Sequence, residues 1–83
     1  MTTLTIELPE KVLNELHRSS EEVTRDVRLA TAVEWFRRGL ISQGRAAELA
    51  GIPRADFLDE LAARQIPAFK VDLETLKAEA GLG

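Results

Sequence analysis

The 83-residue sequence contains no cysteine and a single histidine, His17. Without cysteine the chain has no disulfide framework and no thiolate metal site, and one histidine cannot form a histidine-rich site. No apolar run reaches the roughly 20 residues that cross a bilayer. The first residues lack the basic stretch and apolar run of a secretory signal. We therefore expect a cytoplasmic protein that binds no cofactor, metal or membrane.

Excess positive charge is also missing, because the net charge is −3 and the isoelectric point is about 5.1. The chain as a whole does not attract nucleic acid, so any DNA binding needs a local basic face, duplicated in a dimer. A hydrophobic content of 45% indicates a globular chain. A domain of this size buries only about 60% of its unfolded surface, which makes oligomerisation a source of stability.

Catalytic motifs are absent from the sequence as well. The carboxylates are scattered along solvated helical faces, and His17 has no evident nucleophile partner. Ser42 opens a helix and does not stand in a nucleophile elbow. Gly44 and Gly51 fit neither a dinucleotide-binding nor a Walker pattern. We predict that the protein is not an enzyme and has no catalytic residues.

The first residues alternate with a period of two, which predicts a short β-strand over Thr3–Leu8 that ends at Pro9. A lone strand needs a hydrogen-bonding partner. Pairing with the same strand of a second copy would give a ribbon-helix-helix dimer whose outer face, with Thr3 and Thr5, contacts DNA. The alternatives are a ribbon that only dimerises, or an internal hairpin with the later segment AFKV.

Two helices are predicted after this strand. Val12, Leu13 and Leu16 form an apolar stripe on the first. Ser19 and Glu22 have the spacing of a capping box, which announces a second helix running to about residue 38. Trp35 falls at the margin of the apolar face of this helix. It is either a core-margin residue or an interface anchor for a partner, because tryptophan is enriched at binding hot spots.

A helix-turn-helix-like hairpin is predicted between residues 41 and 67. Ala47, Gly51 and Phe57 fall where this motif needs a small residue, a turn glycine and a core anchor, and Ser42 is a suitable N-cap. The second helix often enters the DNA major groove. Here it also carries carboxylates, which phosphates repel, so a hairpin used for packing or partner binding fits equally well.

The candidate DNA contacts come from the predicted strand and from the hairpin: Thr3, Thr5, Ser42, Arg45 and Arg54. The arginines between residues 25 and 54 either line one face of a dimer or are ordinary solvated charges, each offset by a nearby carboxylate.

A C-terminal tail over residues 68–83 follows the break at Pro67, and its last part is predicted to be a helix beginning at Asp72. Four apolar residues recur on one side of this tail. The tail either packs on the core or orders on a partner by docking a helix into a groove. The candidate partner-binding residues are Trp35, Phe69, Val71, Leu73 and Leu76.

Nearly the whole chain resembles a family of short prokaryotic proteins of the uncharacterised UPF class, regarded as antitoxin-like. The resemblance lies in the segments TIELPEKVL and AVEWFRRGLISQGRAAELAGIPRADFLDELAARQIP. It implies a type II antitoxin that binds and neutralises a PIN-domain-like ribonuclease toxin and represses its own operon by binding operator DNA.

These observations predict a mainly α-helical fold. Residues 1–40 form a strand–helix–helix dimerisation region, residues 41–67 the helix-turn-helix-like hairpin, and residues 68–83 a partner-binding tail. The predicted function is that of a homodimeric antitoxin and DNA-binding regulator. The alternative is a protein-interaction module that binds no DNA.

Overall fold

The computed structural model describes residues 2–68, in which an N-terminal stretch without regular structure leads into helices joined by short turns. The helices are α1 (Glu10–Leu16), α2 (Ser20–Arg37), α3 (Gln43–Ala50) and α4 (Arg54–Ala63). Helix α3 packs against both α2 and α4. None of the helices in this part of the chain is long and apolar enough to cross a membrane.

Helix α2 is delimited by the capping residues that its sequence predicts. The Ser19 hydroxyl accepts a hydrogen bond from the Glu22 backbone N–H at 3.2 Å, and the Glu22 carboxylate accepts one from the Ser19 N–H at 3.3 Å. At the other end the chain turns at Gly39, with φ 78°, after the last helical residue Arg37. The capping-box prediction is confirmed, and the helix ends one residue before the predicted boundary.

The predicted helical hairpin is present as α3 and α4. Ser42 caps α3 by accepting a hydrogen bond from the Arg45 N–H at 3.2 Å. Gly51 ends the helix with φ 74°, a left-handed conformation that few residues other than glycine adopt easily. Pro53 immediately precedes α4. A backbone N–H at this position has no acceptor within the helix, so its absence in proline costs no hydrogen bond.

The core lies between α2, α3 and α4, which we call the three-helix unit (residues 20–68). Small residues on α3 let its neighbours approach closely, and aromatic rings on α2 and α4 meet beside them. The rings of Phe36 and Phe57 lie edge to face, with their centroids 6.0 Å apart and their planes at 89°. The buried core residues are Ala32, Val33, Phe36, Ala46, Ala47, Ala50, Phe57 and Leu61.

The predicted strand at Thr3–Leu8 is wrong. These residues belong to no strand, and the whole described part of the chain contains none. A strand requires a hydrogen-bonded neighbour, and no described segment supplies one, so period-two alternation alone leaves the backbone unpaired. The predicted ribbon-helix-helix start depends on this strand and is therefore wrong as well. Strand pairing is accordingly not the basis of a dimer.

The region before the three-helix unit buries very little. Helix α1 contains no buried residue and ends at His17, which has a left-handed φ of 54°. We call residues 2–19 the N-terminal segment. The predicted tail residues Phe69, Val71, Leu73 and Leu76, and the helix predicted from Asp72, lie outside the described residues.

Candidate functional site

A guanidinium from α2 closes the C-terminal end of α3. Arg28 Nε donates a hydrogen bond to the Leu49 carbonyl at 2.8 Å, and Nη2 lies 3.5 Å from the Glu48 carbonyl. These carbonyls belong to the last turn of α3, which carries the negative end of the helix dipole. The Glu48 carbonyl also accepts a hydrogen bond from the Gly51 N–H at 3.1 Å. Arg28 therefore fixes α3 onto α2 at the turn of the hairpin.

The Gly51 turn lies directly against this guanidinium. A Cβ atom at Gly51 would be 3.3 Å from Arg28 Nη1 and 3.4 Å from Cζ. The positive φ therefore favours glycine here, and any larger residue would also displace the Arg28 guanidinium by a few tenths of an ångström.

Arg54, a predicted phosphate contact at the start of α4, points its guanidinium at a side chain of α3. Its Nε and Nη2 donate hydrogen bonds to Gln43 Oε1 at 3.1 and 2.7 Å. Gln43 is itself only 9% exposed, and its Nε2 donates a hydrogen bond to the Ala68 carbonyl. One buried amide thus joins the first residue of α3, the first residue of α4 and the residue where the predicted tail begins.

The other predicted DNA contacts are divided between two regions. Arg45 stands on α3 with 75% of its side chain exposed and donates a hydrogen bond to the Glu48 carboxylate at 2.9 Å. The Ser42 hydroxyl on the same turn is occupied by its cap. Thr3 and Thr5 are exposed in the N-terminal segment. Arg45 is therefore a strongly exposed arginine at the start of α3.

The charged residues on the rest of the unit are mixed in sign. Asp56 and Asp59 are exposed on α4. At the end of α2, Glu34 accepts hydrogen bonds from Arg37 at 2.5 and 2.9 Å and from Arg38 at 3.1 Å. The two hydrogen bonds from Arg37, and then the one from Arg38, lower the pKa of Glu34 to about 2.

Trp35 is 40% exposed at the end of α2, beside the buried Phe36. The Leu40 N–H donates a hydrogen bond to the Trp35 carbonyl at 2.9 Å, and this turn brings Leu40, which is 63% exposed, to the same end of the helix. Such turns commonly bring two apolar side chains into contact. We call these two residues the Trp35–Leu40 patch. Of the two interpretations of Trp35, the partly exposed position leaves the indole accessible to a partner.

A second group of exposed apolar residues lies in the N-terminal segment. Their side chains are between 39% and 79% exposed, although the sequence spaces them regularly along the segment and along α1. They are Leu4, Ile6, Leu8, Val12 and Leu16.

Within residues 2–68, no group of three or more His, Asp or Glu side chains is arranged to hold a metal ion. Each buried side-chain nitrogen or oxygen in the same range has a hydrogen-bond partner. Sequence analysis missed the roles of Arg28 and Gln43. The partners of Arg28 are 20 and 21 residues away, and those of Gln43 are 11 and 25 residues away, so no local spacing signals either contact.

Comparison with known proteins gives the family of the chain. Residues 1–82 match the uncharacterised protein family UPF0175. A UPF0175 protein of Aeropyrum pernix is 48% identical over 61 residues, which is 74% of this chain and 77% of the relative. One from Archaeoglobus fulgidus is 39% identical over 65% of this chain and 61% of its own length. One from Halobacterium salinarum is 46% identical over 69% of this chain and 54% of its own length.

No solved structure matches the chain significantly. Because the family match extends over nearly the entire sequence and several archaeal relatives share it, the chain belongs to the UPF0175 family.

Proposed function

We propose that this protein is the antitoxin of a type II toxin–antitoxin pair, and that it binds and neutralises a PIN-domain-like ribonuclease. The observation that carries the proposal is the Trp35–Leu40 patch, an exposed apolar pair on an otherwise well-packed helical unit. The core beside it is complete without either side chain. An exposed tryptophan on a rigid element is the type of residue that anchors protein interfaces.

The charge of the chain supports the same partner. A ribonuclease that holds RNA needs a basic surface, and an inhibitor with a net charge of −3 is attracted to such a surface. In this proposal the tail residues Phe69, Val71, Leu73 and Leu76 bind the toxin together with Trp35.

We assign the apolar side chains of the N-terminal segment to contact with a second copy of the chain. Leu4, Ile6 and Leu8 are strongly exposed, and Val12 and Leu16 continue this apolar character into α1. A small domain gains stability by burying such groups against a copy of itself. The proposal requires burial of these side chains and assigns no β-pairing to the backbone.

DNA binding is a second candidate function, favoured by the helix-turn-helix arrangement of α3, the Gly51 turn and α4 on α2. Asp56 and Asp59 on α4 oppose close contact with phosphates. In this candidate, Arg45 and Ser42 at the start of α3 supply the main phosphate contacts, assisted by Arg54 and by Thr3 and Thr5. Without DNA binding, the protein is an interaction module only.

The antitoxin proposal is tested by co-expressing the full chain with the product of a neighbouring PIN-type gene. We expect a stable complex, loss of RNA cleavage and rescue of growth. Trp35→Ala should weaken the complex by about 2 kcal/mol or more, as expected for a hot spot. The control is Thr24→Ala, which changes an exposed side chain on the same helix outside the patch. Absence of a complex with the wild-type chain would contradict the antitoxin function.

DNA binding is tested by titrating the full chain onto DNA from upstream of its gene at several salt concentrations. Arg45→Ala should reduce the slope of log affinity against log salt by about one phosphate contact. Arg64→Ala is the matched control, because Arg64 is held by Glu60 at the far end of α4. If the wild-type chain shifts no upstream DNA, the interaction module without DNA binding is the better description.

A further inference from the structure

Gln43 is the buried polar residue of the core region, and its two amide atoms contact different parts of the chain. The oxygen Oε1 accepts both hydrogen bonds from Arg54, and the nitrogen Nε2 donates to the Ala68 carbonyl. The amide orientation is therefore fixed, since turning it over would place a donor against a guanidinium and an acceptor against a carbonyl.

We infer that Gln43 is a positioning residue that couples the chain at Ala68 to the guanidinium of Arg54. The inference rests on the proposed function, in which residues after 68 bind the toxin and Arg54 assists in contacting DNA. A toxin that draws the chain away from Gln43 at residue 68 removes the acceptor of Nε2. The amide is then held by Arg54 alone, so the acceptor that holds two of the Arg54 donors is less firmly fixed.

The physical reason for the coupling is the burial of the amide. Packing restricts this side chain, and the Ala68 carbonyl holds the nitrogen end of the amide while Arg54 holds the oxygen end, so loss of the first contact loosens the second. An exposed glutamine would replace the carbonyl with water, and Arg54 would be unaffected. Because Gln43 is about nine-tenths buried, the two hydrogen-bonding partners depend on each other.

Ala68 is held at this point by packing as well as by its hydrogen bond. Its side chain and that of Ile66 are partly buried against the core. The Ile66 N–H also donates to the Leu61 carbonyl at 2.9 Å, which fixes the turn after α4. Weakening the packing of Ala68 therefore perturbs the Gln43 hydrogen bond without changing Gln43 or Arg54.

The experiment measures solvent exchange of the Arg54 Nε–H by NMR in the full chain, without toxin or DNA. Gln43→Met removes both hydrogen bonds from Arg54 and the one to Ala68. It should increase this exchange about fivefold, the factor contributed by roughly one net hydrogen bond. Gln43→Glu keeps an acceptor for Arg54 and loses the donor to Ala68. It should leave Arg54 at least as protected as in the wild type.

The decisive variant is Ala68→Gly, which weakens packing at residue 68 and frees its backbone. It should accelerate Arg54 Nε–H exchange in the otherwise wild-type chain. It should have no effect in the Gln43→Glu background, where the side chain of residue 43 no longer donates a hydrogen bond to residue 68. Ala63→Gly, at the exposed end of α4, is the matched control and should not change Arg54 exchange. Circular dichroism establishes that each variant is folded.

The coupling is overturned if Ala68→Gly leaves Arg54 exchange unchanged in the wild type, or accelerates it equally in the Gln43→Glu background. Neither result involves a toxin or an operator, so the proposed function would be unaffected. A chain that shows the coupling but binds neither toxin nor DNA would instead remove the proposed function and leave the role of Gln43 intact.

Discussion

The three-helix unit and the N-terminal segment both carry apolar residues at regular spacing, and their burial differs sharply. In the unit, Ala32, Phe57 and Leu61 have 0% of their surface exposed. In the N-terminal segment, Leu4 is 79% exposed and Ile6 is 64% exposed. The two regions therefore use similar residue types in different environments.

Periodicity gives an element an apolar face but does not supply the surface that covers it. In the unit, short turns bring the faces of α2, α3 and α4 together, and their side chains interlock. In the N-terminal segment, no described part of the chain lies over the alternating side chains.

The largest effect is expected for Phe57→Ala. This ring is fully buried and meets Phe36 edge to face, so its removal should lower the free energy of unfolding by about 3–5 kcal/mol. Leu4→Ala, in the N-terminal segment, should change it by less than about 0.5 kcal/mol. Urea unfolding at low protein concentration measures both values without a contribution from self-association. Equal effects would mean that the N-terminal segment is part of the core.

Gly51→Val should be the next most damaging change. Valine is strained at a φ of 74°, and its Cβ would press on the Arg28 guanidinium, so a loss of about 1–3 kcal/mol is expected. Gly44→Ala is the matched control, because a Cβ at Gly44 meets no atom within 4 Å. Alanine on this helix should raise stability by up to about 1 kcal/mol. A harmless Gly51→Val would show that the turn is not held as described.

Ser19→Ala tests the boundary between the two regions. It removes the hydroxyl that caps α2 and should reduce the stability of the unit by about 0.5–2 kcal/mol. Ser20→Ala changes the neighbouring serine, which lies inside the helix, and should have little effect. Hydrogen exchange of the first turn of α2 shows whether the loss is local. Identical melting temperatures of the two variants would show that the Ser19 hydroxyl does not stabilise α2.

The smallest effect concerns pH. The folded-state pKa of Glu34 is about 2, well below its usual value of 4.5, because Arg37 and Arg38 donate hydrogen bonds to its charged form. Its contribution is therefore fully present above the usual value and is lost as the pH falls towards 2. The stability difference between wild type and Glu34→Gln should shrink over that range and also with added salt. A difference that persists at the lowest pH would assign it to packing.

Local signals in the sequence predict much of the three-helix unit. Ser19, Ser42 and Gly51 act on backbone groups only a few residues away, and the structure confirms each of these caps or turns. Phe57 is also a confirmed core residue, since its spacing with Leu61 defines a helical face. The prediction of a strand at Thr3–Leu8 is wrong because a strand needs a hydrogen-bonded neighbouring strand, which alternation in the sequence cannot specify.

The candidate site was much less accessible to sequence analysis. The sequence marks Arg54 only as a basic residue at a helix start and hence as a candidate DNA contact. Its pairing with Gln43 depends on the packing of α3 beside α4. Arg28 was one of several arginines of similar appearance, and only the fold directs it at the end of α3. The exposure of Trp35 and Leu40 likewise depends on which face of α2 the core covers.

The helices of the unit, their caps and the glycine turn are predictable from sequence, because they depend on residues near one another in the chain. The packing of the helices sets which apolar faces are buried. It also sets which arginines donate hydrogen bonds to another helix. The same packing places the Gln43 amide of α3 within hydrogen-bond distance of Arg54 on α4 and of the Ala68 carbonyl. Burial and hydrogen-bond partners are properties of the space around a side chain, and in this protein that space is filled by residues distant in sequence.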